Sequence, residues 1–216
     1  MQILKTDLHH PSQAILDQTI QALKQGSVVI HPTETCYGFA VDIFQEQALQ
    51  SLYAVKKMAL DKPVSMMVTS LAEAQQYAEF DPLAFKIAEK FWPGAVTLIL
   101  PRKKTLPDFF NKDHLTVGIR CPDSKIAQAL IKGVGRPLST TSANVSGEPE
   151  VYEVKHFLDQ LDLVGDKDAQ GLAVILDVGA IAKNPPSTLI VFEQGKPVFL
   201  REGALLAEVK NFLEIS

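Results

Sequence analysis

Cysteine is scarce in this chain. Only Cys36 and Cys121 occur among 216 residues, and no Cys-x-x-Cys is present. That pattern argues against a disulfide framework and against a thiolate metal site. The five histidines show no ligand spacing, and the adjacent His9-His10 is expected to be solvated. No apolar run is long enough to span a bilayer, and Met1 to His10 holds no apolar signal core. The expectation is a reduced, cytoplasmic protein with no membrane partner. Positive charge is also in short supply. The net charge of −4 counts against bulk coating of nucleic acid, although it does not exclude a local basic groove. Lys56-Lys57 and Arg102-Lys103-Lys104 are the only tight basic clusters, and the second reads best as a solvated loop. There is no Gly-x-x-x-x-Gly-Lys-Ser/Thr phosphate loop. Gly133-Val134-Gly135 is not completed to Gly-x-Gly-x-x-Gly, and a helix stop explains it better. Repeats, low-complexity tracts and long linkers are absent.

What is present suits one α/β domain spanning 1–216, since this length with 46% apolar residues supplies a sizeable core. Hydrophobic spacing predicts helices over 11–25, 45–57, 71–79, 82–91, 124–132, 153–161 and 204–213. It predicts strands over 27–31, 64–68, 96–100, 115–119, 173–176, 188–192 and 198–200. Gly26 is a plausible stop for the first helix and Ser124 a plausible N-cap. Strands mixed with helices throughout imply one sheet covered by helices. Gln194-Gly195 between the last two strands predicts a hairpin, so the sheet is mixed.

Two polar runs stand out. In His31-Pro32-Thr33-Glu34-Thr35-Cys36-Tyr37-Gly38, an apolar strand ends at a proline and gives way to hydroxyls and a carboxylate. Pairing should stop at Pro32, which has no N–H to donate. Polar groups crowded where a buried strand emerges suit an α/β binding site, or else a loop bonding its own backbone. Ser139 to Ser146 packs five hydroxyl side chains and Asn144 into eight residues. Such a loop can cradle phosphate on backbone N–H groups, or simply cap a helix. Arg120 and Arg201 each end an apolar strand, where a guanidinium can grip a carboxylate or form a structural ion pair. Lys56 can serve as a point charge for phosphate, or as a solvated helix lysine.

Together these runs resemble the YrdC-like family, which includes L-threonylcarbamoyladenylate synthases and YciO-type paralogues. Further pieces of the resemblance are 52–58, 91–98, 116–122, 186–190 and 200–203. The resemblance implies a twisted mixed β-sheet flanked by helices, with a deep groove where an amino acid, bicarbonate and ATP meet. It matches Thr35, Arg120, Thr140 and Ser187 to the L-threonine side. It matches Lys56, Lys62, Thr116, Ser142, Asn144 and Arg201 to the nucleotide side, with Lys56, Arg120 and Ser142 in catalytic roles. It implies Mg²⁺ accompanying the triphosphate. The product, threonylcarbamoyl-adenylate, would feed a separate transferase acting on adenosine 37 of tRNA.

The chain departs from the synthase pattern at three positions. Met58 replaces an arginine, and a thioether cannot stand in for a charged, forked donor. Met67 stands where some members place a histidine near the substrate, and Glu150 where many have a small hydroxyl residue. A carboxylate at 150 would disfavour a triphosphate if it faced the groove. These departures resemble the YciO-type side of the family, whereas the Ser139 to Gly147 loop looks synthase-like. Three readings follow: a synthase, a member binding double-stranded RNA or tRNA, and a paralogue binding another nucleotide or carbamate.

Overall fold

The computed structural model describes residues 1–166 and 169–214. Among the described residues, ten strands form one sheet and seven helices pack on it. The strands are β1 (Gln2–Lys5), β2 (Val28–Pro32), β3 (Tyr37–Ala40), β4 (Ser65–Met67), β5 (Val96–Pro101), β6 (Thr116–Arg120), β7 (Leu138–Ser142), β8 (Leu172–Asp177), β9 (Thr188–Glu193) and β10 (Lys196–Arg201). The helices are α1 (Gln13–Lys24), α2 (Glu46–Lys56), α3 (Leu71–Ala74), α4 (Pro82–Phe91), α5 (Lys125–Val134), α6 (Val154–Leu163) and α7 (Leu206–Phe212). Strand order is β1-β8-β2-β3-β7-β4-β6-β5-β9-β10, with parallel and antiparallel neighbours mixed.

Local signals account for most boundaries. The Ser124 side chain accepts from Ala127 N–H at the start of α5, and Gly135 ends that helix in the left-handed region at φ +85°. Gly133-Val134-Gly135 is therefore a helix terminus. Gln194 and Gly195, both at positive φ, turn β9 into β10. Strand β2 ends at Pro32, as a missing N–H requires.

Four elements differ from the sequence expectation. Leu138–Ser142 is a strand paired with β3 and β4, so Ser139 to Ser142, read as the start of a hydroxyl-rich loop, belong to the sheet. Gln2–Lys5 adds an edge strand beside β8. Tyr37–Ala40 is a fully buried strand, so the polar loop after Pro32 is only four residues long. The helix expected over 71–79 stops at Ala74. Beyond it, Glu79 N–H and Lys103 N–H tie the chain to the β5 end through Pro101 and Tyr77 carbonyls. Those bonds take the backbone groups a longer helix would need.

Alternation along the strands creates two unlike faces. One carries Met66, Ile119, Leu98 and Ile190, all buried and mutually in register, within the main hydrophobic core. On the other face, α1 and α5 cover part of the sheet with a second core that includes Leu138 and Met67. There one row of paired residues runs Leu138, Met67, Arg120, Thr97, Leu189, Arg201 across six strands. The row passes from apolar to polar where the helices stop covering it, and the polar part floors a groove.

The last member of the row depends on a bulge. Pairing slips between Phe199 and Arg201, so Arg201 faces Leu189 and Leu200 is left out, 56% exposed. Regular pairing would have put Arg201 opposite Thr188, on the core side.

Candidate active site

The groove holds a cavity of about 260 Å³, with Thr35, Arg120, Thr140, Ser142, Ser187 and Arg201 on its walls. An adjoining recess of about 400 Å³ shares Pro63, Thr141 and Ser142 with it and adds Lys56, Lys62 and Asn144. Nine of the ten site residues expected from sequence thus meet in two connected spaces. Thr116 does not. It lies on the groove face but at the far end of β6, about 13 Å of strand from Arg120, and lines a separate cavity with Ile99 and Val191.

The Arg120 end of the cavity is built from the loop after β2 and the end of β6. The Thr33 hydroxyl donates to the Cys36 carbonyl at 2.7 Å and accepts from Thr35 and Cys36 N–H groups, which fixes the loop. Both terminal nitrogens of Arg120 donate to Thr35 Oγ1 at 3.3 Å, and Nη2 pairs with Glu34 Oε1 at 2.8 Å. Arg120 therefore forms the structural ion pair and also lines the cavity. Three buried atoms in this corner have no hydrogen-bond partner: His31 Nε2, Glu34 Oε2 and Arg120 Nε. His31 Nδ1 donates to the Pro32 carbonyl, so its free nitrogen is a bare acceptor. Burial holds this imidazole down at about pKa 4, against the pull of the Pro32 bond and Glu34. It is neutral at physiological pH.

Opposite stands Ser187. Its hydroxyl contacts Thr97 Oγ1 at 2.7 Å and accepts from Arg201 Nη2 at 2.9 Å, while Arg201 Nε donates to the Ser187 carbonyl. Gly203 explains why the Leu-Arg-Glu-Gly run is needed here. A Cβ at 203 would lie 2.3 Å from the Pro186 carbonyl oxygen, so only glycine lets the chain press against Pro186-Ser187. Burial lowers the Arg201 pKa, with Glu150 opposing that shift.

The loop that follows β7 is organised by one hidden amine. Lys56, at the end of α2, is only 5% exposed. Its Nζ donates to the Ser142 carbonyl (2.6 Å), the Asn144 carbonyl (3.1 Å) and Asn144 Oδ1 (2.8 Å). Ser146 N–H returns a bond to the Lys56 carbonyl at 2.7 Å. Ser142 donates to Asn144 Oδ1, and Asn144 Nδ2 closes the loop onto Glu148 and Val145 carbonyls. Burial lowers Lys56 to a pKa of about 8. It is not a solvated lysine, and its three protons are committed to the loop. Lys62 is exposed at the recess mouth.

The departures fall in different places. Met58 lines the recess while packing partly on the core, so the missing guanidinium would have faced the recess. Met67 is fully buried in the second core and faces no ligand space. Glu150 lines the cavity. Arg102 is not a solvated loop residue: its guanidinium donates to the Pro107, Phe110 and Asn111 carbonyls. Sequence reading missed Glu34 as a partner of Arg120, and Thr97. A lone hydroxyl inside Val96-Thr97-Leu98-Ile99-Leu100 was the available signal for the latter.

A family model described as telomere recombination, that of Sua5, YciO and YrdC, matches residues 21–203. The chain belongs to the Sua5/YciO/YrdC family. A Pyrococcus abyssi protein named threonylcarbamoyl-AMP synthase is 32% identical over 193 residues, covering 88% of this chain and 55% of that protein. The chain thus spans little more than half of that family member. The crystal structure of P. abyssi Sua5 complexed with L-threonine superposes with a TM-score of 0.87 at 28% identity, over 98% of this chain and 60% of that one. Escherichia coli YciO superposes with a TM-score of 0.80 at 25% identity, over 94% and 95% of the two chains. The Sua5/YciO/YrdC fold, with its mixed ten-stranded sheet, is therefore shared with both branches of the family.

Proposed function

We propose that this chain is an ATP-dependent nucleotidyltransferase that makes L-threonylcarbamoyl-adenylate from L-threonine, bicarbonate and ATP. The observation that carries this reading is convergence. Thr35, Arg120, Thr140 and Ser187 line one cavity, and Lys56, Ser142 and Asn144 line the recess that opens from it. In this reading Arg120 grips the amino-acid carboxylate as a fork, and the hydroxyls of Thr35, Thr140 and Ser187 surround the rest. The amine nitrogen attacks the bicarbonate carbon, forming a C–N bond and expelling the hydroxyl as water with the amine's proton. A carbamate oxygen then attacks the α-phosphorus of ATP, and pyrophosphate leaves.

No covalent enzyme intermediate is required. Positioning and charge stabilisation are the protein's contribution. Lys56 supplies positive charge through the Ser142–Ser146 loop, and Arg201 and Lys62 flank the phosphates. Among the described residues no group of three or more His, Cys, Asp or Glu side chains is placed to hold a metal ion. Mg²⁺ would therefore enter on the triphosphate oxygens, with few protein ligands, as is usual for nucleotide-bound Mg²⁺. The product would serve threonylcarbamoylation of tRNA adenosine 37 by a separate transferase, in the cytoplasm.

The deciding experiment is pyrophosphate release from ATP, with and without L-threonine and bicarbonate, with the adenylate identified by mass. Release that depends on both co-substrates supports the synthase. ATP binding without release favours a second reading, a YciO-type paralogue of weak or no synthase activity. Met58 in the recess and Glu150 in the cavity support that alternative. Binding of double-stranded RNA or tRNA that falls steeply with salt would support the RNA-binding variant of it.

A further inference from the structure

Three charged side chains line the cavity: Arg120, Arg201 and Glu150. The two cations are already held. Arg120 is backed by Glu34, and Arg201 is bonded twice to Ser187. Glu150 has no such anchor: among the described residues no cation lies within ion-pairing distance of it. Its one hydrogen bond is a long one, 3.4 Å from the Tyr152 hydroxyl, which lies equally close to the Asn184 carbonyl at 3.3 Å. One hydroxyl proton cannot serve both acceptors fully. The charge of Glu150 is nevertheless felt across the cavity, at Arg201, Lys56 and Cys36. It is a carboxylate with unused acceptor capacity, on the same cavity as the two guanidinium groups.

A cavity with cations on its walls and one uncommitted carboxylate is complementary to a zwitterion. We propose that Glu150 is the counter-charge for the amine of the bound amino acid, whose carboxylate lies on Arg120. This rests on the synthase reading and adds a residue to it. Glu150 holds the ammonium and takes one proton from it: an N–H bond breaks, an O–H bond forms, and nitrogen keeps the electron pair. The neutral amine then attacks bicarbonate as above, and the Glu150 proton returns to solvent after the product leaves. Until an ammonium neutralises it, the same carboxylate disfavours a polyphosphate in the adjoining recess, so the amino acid prepares the site for ATP.

The test is calorimetric titration of wild type and Glu150→Gln with L-threonine, with its α-hydroxy analogue 2,3-dihydroxybutyrate, and with ATP. The wild type should prefer L-threonine to the analogue. Glu150→Gln should bind L-threonine about tenfold more weakly, keep its affinity for the analogue, and bind ATP alone more tightly. Opposite shifts for two ligands in one variant cannot arise from misfolding, which weakens both. Glu150→Ser should repeat the pattern. Retention of the wild-type preference in both variants, with wild type binding both substrates, overturns the role of Glu150 alone. Failure of wild type to bind either L-threonine or ATP overturns the synthase reading and this inference with it.

Discussion

The two ends of the groove hold positive charge in contrasting ways. On the sheet floor, Arg120, proposed to grip the amino acid, and Arg201, proposed to flank the phosphates, stand in one row of sheet residues, and strand register fixes their positions. Their guanidinium groups line the cavity. At the end proposed for the nucleotide, the cation is buried and a loop is folded around it: Lys56 donates its protons to Ser142 and Asn144 oxygens. The first arrangement presents charge directly and depends on the sheet. The second presents backbone N–H groups and hydroxyls, and depends on a lysine that need not touch the ligand. A guanidinium at position 58 would have added direct charge to the second end, and Met58 withholds it.

Mutations at the two ends should therefore separate. The largest effect belongs to Arg120→Ala. L-threonine affinity should fall about a hundredfold, because a charge-assisted fork is lost, while ATP affinity changes little. Parallel titrations check this, and equal losses for both ligands would break the division between the ends. Lys56→Met should show the converse together with a folding cost. It removes the amine from three oxygens, of which the Asn144 carbonyl is left with no other donor among the described residues, so stability should drop by about 2–3 kcal/mol, read from urea unfolding, and ATP binding should fail before L-threonine binding does.

A pH titration sharpens the same contrast. The folded-state pKa of Lys56, about 8, lies below its ordinary 10.5. Between those values the unfolded chain holds a proton the folded chain has lost, so this residue makes stability rise with pH across that window. ATP affinity should move the other way, falling as pH passes about 8, because the loop loses its charge. Denaturation and ATP titrations at pH 7, 8 and 9 check the two signs, and Lys56→Met should remove both trends. The smallest effect is expected for Met58→Arg: ATP affinity or turnover should rise by up to about tenfold. No gain would mean that the recess already has the cation it needs.

Much of the fold was legible because hydrophobic spacing and punctuation agreed: Ser124 caps α5, Gly135 ends it, and Gln194-Gly195 turns the last hairpin. Strands β1, β3 and β7 were not, the last because four of its five residues are hydroxyls that read as loop. Gln2–Lys5 is short and mostly exposed, so no alternation marks it. Tyr37–Ala40 lies inside a polar motif whose first half is a true loop, and the same hydroxyl-rich signal covers both. The residues of the two connected spaces were found through motif resemblance, not through pattern. The resemblance could not tell how far Thr116 lies from Arg120 along one strand, or that Lys56 is consumed by its own loop. Those facts depend on pairing and burial, which a linear motif does not record.

The bulge at Leu200 deserves a reading as information. Because the chain spends one extra residue there, Arg201 is delivered to the groove and not to the core. The pairing at that point is thus the address of a charge. A homologue of the same length that paired this stretch regularly could keep its arginine in perfect alignment and still turn it to the core, whereas one lacking the bulged residue would keep it in the groove. Matching the arginine says whether the groove is charged only when the bulge beside it is matched too.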